Sequence, residues 1–303
     1  MQQEPTLKQA LADGASELEG STMHPRRDAE LLLLHVVQRD RAFLLTHPDT
    51  ELTSEQAEHY AAWLRRRAAN EPVQYILGEQ EFFGLRFVVT PDVLIPRPET
   101  EHLVETLLAR VPHDQPLRIA DVGTGSGAIA VALAHALPQA QVTAVDISEA
   151  ALAVARRNAG SHRVADRICF LKSDLLSAVA GEMFDAIVSN PPYVAEVDWG
   201  SLEPQVIDYE PASALFAGPL GLDVYERLIP EAHEALKPGG WLLMEIGQGQ
   251  RDDLGRLLSD WDNVSFVDDL QGIPRVACAR RKQADVSFVN PSTSLRTGSG
   301  APA

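Results

Sequence analysis

From Pro116 onward, short apolar runs alternate with longer segments of helical periodicity, and this alternation is the strongest constraint on the fold. The runs typical of strands are "LRIADVG", "QVTAVDIS", "RICFLKSD", "FDAIVSN" and "WLLMEIG", with helical segments such as "GAIAVALAHAL" and "EAALAVARRNAG" between them. Repeated strand–helix units build a mostly parallel sheet with helices on both faces. Two further strands, "NVSFVDDL" and "RVACARR", are separated only by "QGIP", which suits an antiparallel pair. The sequence therefore predicts an α/β domain with a mostly parallel seven-stranded sheet over residues 96–282.

The residues before this domain have a different pattern. In residues 1–72, segments such as "DAELLLLHVVQ" repeat apolar residues at helical spacing, which predicts a small helical bundle. Residues 73–95 contain aromatic and β-branched residues interrupted by Gly78 and Gly84, and this predicts a β-hairpin that connects the two domains. Residues 283–303 are rich in Ser, Thr, Gly and Pro, a composition that predicts a disordered tail.

The chain carries 43 acidic and 26 basic residues, which gives a net charge of −17. An extended nucleic-acid surface needs a surplus of Lys and Arg, so this composition argues against direct nucleic-acid binding. No apolar run is long enough to span a membrane, and the N-terminus lacks the features of a secretory signal. Cys169 and Cys278 lie in apolar strand-like runs, where we expect buried free thiols and no metal site. These features predict a cytoplasmic protein.

A glycine-rich loop joins the first predicted strand of the sheet to the helix that follows it. The members of this loop are Gly123, Thr124, Gly125, Ser126 and Gly127. Glycines let the backbone come close to a ligand, and the helix N-terminus adds unpaired N–H groups. The spacing differs from the dinucleotide fingerprint, and the loop has no Lys for a phosphate site. An acid that precedes the loop, Asp121, would repel a phosphate but could hold an ammonium group.

Acidic residues also end the next two predicted strands. Asp146 ends one of them, where a carboxylate can accept hydrogen bonds from two ribose hydroxyls. Asp174 and Leu175 follow the other strand, where the acid could accept from an adenine amino group and the leucine could lie against the ring. Open α/β sheets bind ligands at the carboxyl ends of their strands. Together with the glycine loop, these residues predict a site for S-adenosylmethionine, without a metal.

The strand "FDAIVS" ends at Asn190, Pro191, Pro192 and Tyr193. Two successive prolines cannot donate backbone hydrogen bonds, so the strand ends there in a rigid turn. The carbonyl groups of Asn190 and Pro191 can accept both hydrogens of a planar NH2 group, on which Tyr193 can stack. Because the lone pair of such a nitrogen is delocalised, fixing its hydrogens would direct the lone pair toward a methyl donor. These four residues are the predicted catalytic residues, and Asn190 would also contact the cofactor.

The strings "DVGTGSG", "AVDIS" and "SNPPY" resemble class I S-adenosylmethionine-dependent methyltransferases that act on amino groups. The stretches "YILGEQEFFGLRF" and "LIPRPETEHLVE", with the helical N-terminal part, narrow the resemblance to the release factor glutamine methyltransferase family, over about residues 6–282. The resemblance implies a Rossmann-like methyltransferase sheet and methylation of the glutamine amide nitrogen (N5) in the Gly-Gly-Gln loop of peptide chain release factors. It also implies that the helical domain binds the release factor.

The same resemblance carries roles onto single positions. Gly123–Gly127 would line the methionine and ribose part of the cofactor, Asp146 would bind the ribose, and Asn190–Tyr193 would hold the glutamine amide. Leu175 would flank the adenine, where relatives often have an aromatic residue. The segment "PRPETE" would lie over the cofactor and substrate entrance, although its acids also suit the first turn of a helix.

Two other functions are compatible with these residues. An amino-methyltransferase acting on adenine N6 or guanine N2 of a nucleic acid could use the same acceptor groups, but it would need a basic groove. A non-catalytic cofactor-binding subunit would not need an intact Asn-Pro-Pro-Tyr motif. We expect a monomer that acts on a protein substrate, with no nucleic-acid or membrane partner. Glu245, at the end of the strand "WLLME", could face the site but is more typical of a strand-end carboxylate.

Overall fold

The computed structural model describes residues 4–283 of the 303-residue chain. The predicted tail, residues 283–303, lies outside the described residues except for its first position. Five helices form the N-terminal part: α1 (Leu7–Glu17), α2 (Pro25–Val37), α3 (Arg41–Thr46), α4 (Ser54–Ala68) and α5 (Val73–Leu77). Thr6 and Thr53 begin α1 and α4 with capping boxes, in which the threonine hydroxyl accepts from a backbone N–H three residues later. The apolar faces of these helices enclose a core of their own.

A short antiparallel hairpin follows, with β1 (Glu79–Phe82) paired to β2 (Leu85–Val88). Its two turn residues, Phe83 and Gly84, both have positive φ (52° and 70°), the backbone of a turn that matches the twist of the flanking strands. The start of the predicted hairpin region, "VQYIL", is the helix α5 and not extended chain. Local β propensity is overridden there because Val73, Tyr75 and Ile76 are buried.

The C-terminal part contains a seven-stranded sheet, which confirms the predicted α/β fold. Its strands are β3 (Arg118–Val122), β4 (Gln141–Asp146), β5 (Ile168–Lys172), β6 (Phe184–Ser189), β7 (Leu236–Glu245), β8 (Asp262–Asp268) and β9 (Pro274–Arg280). The spatial order is β5-β4-β3-β6-β7-β9-β8. The first five of these are mutually parallel, whereas β9 pairs antiparallel with both β7 and β8. The chain reverses strand order beside β3, so the carboxyl ends of β3, β4 and β6 border one crevice.

Helices cover both faces of the sheet. They are α6 (Pro98–Leu108), α7 (Ala128–Ala136), α8 (Glu149–Ser161), α10 (Asp223–Ala235) and α11 (Arg251–Leu257), whereas the short helix α9 (Pro204–Tyr209) buries none of its residues. Successive strand residues point to opposite faces, and β3 illustrates this. Ile119 lies in the core formed with α6 and α7, and the next residue, Ala120, lies in the core formed with α10 and α11.

The two cysteines differ in environment. Cys278 is buried, as predicted, on β9, which lies between β7 and β8. The prediction of a buried Cys169 is wrong, because β5 is an edge strand and the thiol is exposed. Within residues 4–283, the structure contains no helix long and apolar enough to cross a membrane.

Candidate active site

A cavity of about 450 Å3 opens at the carboxyl ends of the parallel strands. Most of the predicted site residues line it together: Gly123, Thr124, Gly125, Ser126, Asp146, Asp174, Leu175, Asn190 and Pro192. These residues come from the ends of β3, β4, β5 and β6, which are far apart in sequence. The sheet therefore assembles the predicted cofactor-binding residues and part of the Asn-Pro-Pro-Tyr motif around one space.

Three predicted site residues lie outside the cavity wall formed by the described residues: Gly127, Pro191 and Tyr193. Gly127 precedes α7 with φ +80°, and a β-carbon there would come within 3.0 Å of the Ala155 β-carbon on α8. Its requirement for glycine is thus explained by the packing of α7 against α8. Pro191 is buried behind the wall, and Tyr193 is half-buried.

Asp121 organises the glycine loop from beneath. Its Oδ2 accepts hydrogen bonds from the Thr124 hydroxyl (2.6 Å) and the Ala130 backbone N–H (3.1 Å). The side chain is completely buried and does not line the cavity. Asp121 is therefore not placed for the expected contact with a ligand ammonium group. Burial raises the pKa of Asp121 to about 7, against the two hydrogen bonds, which lower it. Its Oδ1 has no hydrogen-bond partner among residues 4–283.

Asp146 supports the same loop from β4. Its Oδ2 accepts from the Gly125 backbone N–H (2.9 Å), and its Oδ1 accepts from the Ser148 N–H (2.9 Å). Ser148 in turn caps α8 through a bond from the Ala151 N–H. A carboxylate oxygen can accept more than one hydrogen bond, so Asp146 keeps acceptor capacity for ligand hydroxyls at the cavity wall.

Asp174 and Leu175 follow β5 and line the cavity. The Asp174 carboxylate pairs with Arg227 of α10 at 2.7 Å, and both side chains are about half exposed (52% and 54%). Leu175 has φ +48°, a conformation that is uncommon for a branched apolar residue. This backbone turns the chain at the cavity edge, where the Leu175 side chain packs partly against the core under α10.

Asn190 contacts both the glycine loop and helix α6. Its Nδ2 donates to the Thr100 hydroxyl at 3.1 Å. A β-carbon on Gly123 would lie 3.9 Å from the Asn190 backbone carbonyl oxygen, so the two loops lie close together. Next to them, the buried Ser189 hydroxyl donates to the Val122 carbonyl at 2.7 Å and fixes the ends of β6 and β3 together.

Tyr193 directs its hydroxyl into the protein, where it donates to Glu245 Oε1 at 3.2 Å. Glu245 ends β7 and is buried, and burial raises its pKa while the hydroxyls of Thr100 and Tyr193 nearby lower it. Burial and the Glu245 carboxylate also raise the pKa of Tyr193. The backbone of Tyr193 is held as well, since its carbonyl accepts from Gln250 Nε2 at 3.0 Å. The motif is therefore rigid beyond its prolines.

Two further cavity residues come from the segment that the family resemblance places over the cofactor and substrate entrance. Arg97 and Thr100 belong to the segment "PRPETE", and both line the cavity. Arg97 pairs with the buried Glu210, which also accepts from the Ile95 N–H at 3.2 Å. Glu101 has another role: it accepts from the Phe83 N–H at 2.8 Å and thereby fastens the hairpin turn. The proline and the acids of the segment are residues that favour the first turn of a helix. The contact of Thr100 with Asn190, by contrast, depends on the tertiary structure.

Known proteins provide the comparison for this geometry. The chain is 49% identical over 278 residues to a release factor glutamine methyltransferase of Koribacter versatilis, a match that covers 91% of this chain and 99% of the relative. It is 42% identical over 275 residues to the release factor glutamine methyltransferase of Escherichia coli, covering 90% of this chain and 98% of the relative. The chain belongs to the release factor glutamine methyltransferase family. The family resemblance read from the motifs is thereby confirmed.

Family models and solved structures agree with this membership of the release factor glutamine methyltransferase family. Residues 9–78 match the PrmC N-terminal domain, and residues 98–205 match the methyltransferase small domain. Among solved structures, the hMettl16 catalytic domain in complex with an RNA hairpin aligns with a TM-score of 0.55 at 17% identity, over 84% of this chain and 92% of that chain. The 16S rRNA N2 G1207 methyltransferase of T. Thermophilus aligns with a TM-score of 0.50 at 20% identity, over 67% and 50%. These structures show the methyltransferase fold.

Proposed function

We propose that this chain transfers a methyl group from S-adenosylmethionine to the side-chain amide nitrogen (N5) of the glutamine in the Gly-Gly-Gln loop of peptide chain release factors. One observation carries the proposal: in a member of this family, Asn190 and Pro192 line the same cavity as the glycine loop. A methyl donor on that loop and an amide held by Asn190 would therefore meet. The products would be S-adenosylhomocysteine and N5-methylglutamine.

The polar and apolar groups that line the cavity fit S-adenosylmethionine. Bound there, the cofactor supplies a sulfonium-activated methyl group as the electrophile. Asp146 would accept hydrogen bonds from the ribose hydroxyls, and Asp174 with Leu175 would hold the adenine. Gly123–Gly127 would carry the methionine part, with Gly123, Thr124, Gly125 and Ser126 in contact and Gly127 shaping the turn. No metal has a role in this proposal.

Catalysis would rest on the acceptor groups at the end of β6. The Asn190 side-chain carbonyl and the backbone carbonyls of the rigid turn would accept the two N–H groups of the substrate amide. This geometry would hold the nitrogen lone pair on the line of attack, and the acceptors would stabilise the positive charge that develops on nitrogen. One N–H proton then leaves to water after the C–N bond has formed. Tyr193 would act by fixing the turn, because its hydroxyl is bonded to Glu245.

A protein substrate suits the surface around the cavity. Val197, Trp199 and Leu220 are exposed (82%, 48% and 72%) in the segment that follows Tyr193. The Trp199 ring stacks on Phe216 at 4.7 Å, and a backbone bridge joins Phe216 to Val194. Exposed apolar groups that lie close together are typical of protein-binding surfaces. We assign this surface, together with the helical domain, to the release factor, and we expect the enzyme to act as a cytoplasmic monomer without a nucleic-acid or membrane partner.

The proposal is tested by methyl transfer from labelled S-adenosylmethionine. The purified chain is incubated with a release factor, with the same factor carrying Gln→Glu in its Gly-Gly-Gln loop, and with bulk rRNA and DNA. We expect label only on the wild-type factor, with loss of labelling in the Asn190→Ala enzyme. Label on nucleic acid would support the base-methylating alternative instead, and label on the loop variant would place the methylated atom elsewhere. Cofactor binding without transfer to any of these would support a non-catalytic subunit.

A further inference from the structure

The loop that follows β7 extends one side chain, Gln250, to the turn at the end of β6. Gln250 directly precedes helix α11 and does not line the cavity. We propose that Gln250 is a positioning residue for methyl transfer: its side-chain amide holds the Tyr193 carbonyl and thereby keeps the acceptor carbonyls of the Asn190–Tyr193 turn in place. This inference rests on the proposed function, because the same turn would bind the substrate amide.

The Asn190–Tyr193 turn depends on its two ends for its position. The two prolines between them have no N–H group and a fixed φ, so the middle of the turn is stiff and donates no backbone hydrogen bond. At the start of the turn, the Ser189 hydroxyl donates to the Val122 carbonyl at 2.7 Å. A displacement of the other end, at Tyr193, would therefore also displace the carbonyls that would accept the substrate N–H groups.

Gln250 holds the Tyr193 end through three hydrogen bonds. Its Nε2 donates to the Tyr193 carbonyl at 3.0 Å and to the Gly221 carbonyl at 3.2 Å. Its Oε1 accepts from the Gly247 backbone N–H at 2.9 Å. A carbonyl oxygen only accepts and a backbone N–H only donates, so these partners fix which end of the Gln250 amide is the NH2 group. Both amide hydrogens are used, each on a different segment of the chain.

Two glycines allow these segments to approach one another closely. A β-carbon on Gly221 (φ +71°) would lie 2.2 Å from the Tyr193 carbonyl oxygen, which is too close for two non-bonded atoms. A β-carbon on Gly247 would lie 2.9 Å from Gln250 Oε1 and 3.1 Å from a ring carbon of Tyr193. The packing around the Tyr193 carbonyl therefore supports the same position as the hydrogen bond from Gln250.

The backbone of Gln250 is itself anchored. Its carbonyl accepts from the Leu254 N–H at 3.0 Å in the first turn of α11, and Leu254 is fully buried in the core under that helix. The hydroxyl of Tyr193 bonds to Glu245 at the end of a side chain with rotatable bonds, whereas Gln250 holds the main chain. Gln250 thus connects the turn to a packed element of the fold, as a positioning residue must.

The first test compares Gln250→Ala and Gln250→Glu with wild type in release factor methylation. Gln250→Glu keeps the shape of the side chain and the acceptor for the Gly247 N–H, but its carboxylate has no hydrogen to donate to the two carbonyls. We expect kcat to fall by about tenfold or more in both variants, because the acceptors of the turn would no longer be held in place. KM for the release factor and the Kd for S-adenosylmethionine, measured by calorimetry, should stay within about twofold.

Gln248→Ala is the matched control, because Gln248 lies in the same loop, is exposed and forms no side-chain hydrogen bond within residues 4–283. It should keep the wild-type kcat. The calorimetric stoichiometry counts the folded cofactor sites, so kcat is expressed per binding site. If the Gln250 variants lower only this stoichiometry and keep the wild-type kcat per site, Gln250 has a purely structural role and the inference is overturned.

Gly221→Ala displaces the Tyr193 carbonyl by an independent route, since the added β-carbon cannot lie 2.2 Å from its oxygen. We expect kcat per binding site to fall as it does in Gln250→Ala. Gly249→Ala is the matched control, because Gly249 also has positive φ (+87°) but a β-carbon there would meet no atom within 4 Å. Equal kcat values in the two glycine variants would contradict the inference.

Hydrogen exchange of the cofactor-free protein tests the hold on the turn without any methylation. The backbone N–H groups of Tyr193 and Val194 donate to the Leu215 carbonyl at 3.2 and 2.8 Å. They should exchange about tenfold faster in Gln250→Ala than in wild type or Gln248→Ala, and unchanged exchange would overturn the inference. If exchange responds in this way but wild-type enzyme does not label the release factor, the proposed function fails instead, so the two failures are distinguished.

Discussion

At the scale of single residues, the carboxylate beneath the glycine loop gives the chain a pH-dependent stability. Burial raises the pKa of Asp121 to about 7 from the ordinary 3.8. Between these values the folded protein binds a proton that the unfolded chain does not, so the free energy of unfolding falls as the pH rises. The stabilising contribution is complete below about pH 4 and lost above about pH 7.

The measurement is urea unfolding of the cofactor-free protein at about pH 5 and about pH 8. We expect Asp121→Asn to show a smaller fall in the free energy of unfolding between these two pH values than wild type. Asp166→Asn, an exposed acid outside the core, serves as the control and should keep the wild-type difference. Equal differences in wild type and Asp121→Asn would show that this carboxyl does not titrate in the way that its burial indicates.

A second prediction at this scale concerns Gly127, which combines positive φ with close packing. A β-carbon there would lie 3.0 Å from the Ala155 β-carbon, whereas one on Gly181 (φ +86°) would meet no atom within 4 Å. We expect Gly127→Ala to lower the free energy of unfolding by about 2–4 kcal/mol, and Gly181→Ala by about 1 kcal/mol for backbone strain alone. Chemical denaturation measures both. Similar losses in the two variants would mean that the contact with α8 adds nothing.

At the scale of elements, one amide side chain joins the hairpin, helix α8 and the glycine loop. Asn158 is fully buried; it accepts from the Val88 N–H (2.8 Å) and donates to the carbonyls of Val88 (3.0 Å) and Ser126 (2.8 Å). We expect Asn158→Ala to lower the free energy of unfolding by about 2–4 kcal/mol, because it leaves buried backbone groups unpaired. The exposed Gln139 also bonds to a backbone carbonyl, and Gln139→Ala should cost under about 1 kcal/mol. A loss for Asn158→Ala as small as that of the control would contradict this account.

How well the sequence predicts these elements depends on how far apart in the sequence the interacting residues are. The ends of β3, β4 and β6 are marked by local chemistry (glycines, an acid, two prolines), and the cavity was predicted there. The helix α5 and the exposure of Cys169 depend on what packs against them, and a short apolar run does not contain that information. Asn158 carries no local signal for the same reason, because its partner Val88 lies 70 residues away in the sequence.

At the scale of the whole molecule, we expect binding of the release factor and binding of the cofactor in the cavity to depend on different residues. We expect a Val197→Ser, Trp199→Ala double variant to raise KM for the release factor by about tenfold, with little change in the Kd for S-adenosylmethionine. Steady-state methylation and calorimetry measure the two quantities. Val264→Ser changes an exposed apolar residue on the edge strand β8, three strands from β6, and is the matched control. An unchanged KM in the double variant would remove this surface from the interface.

The contacts of Asn158 have a consequence for the order in which ligands act. The Asn158 side chain hydrogen bonds both to the hairpin that follows the helical domain and to the loop that would carry the cofactor. A ligand that settles on the loop would therefore also restrict the hairpin and the domain attached to it. Because such coupling is reciprocal, a partner bound to the helical domain would raise the affinity of the loop for its ligand by the same factor. The enzyme would then retain its methyl donor best when the protein to be methylated is already in place.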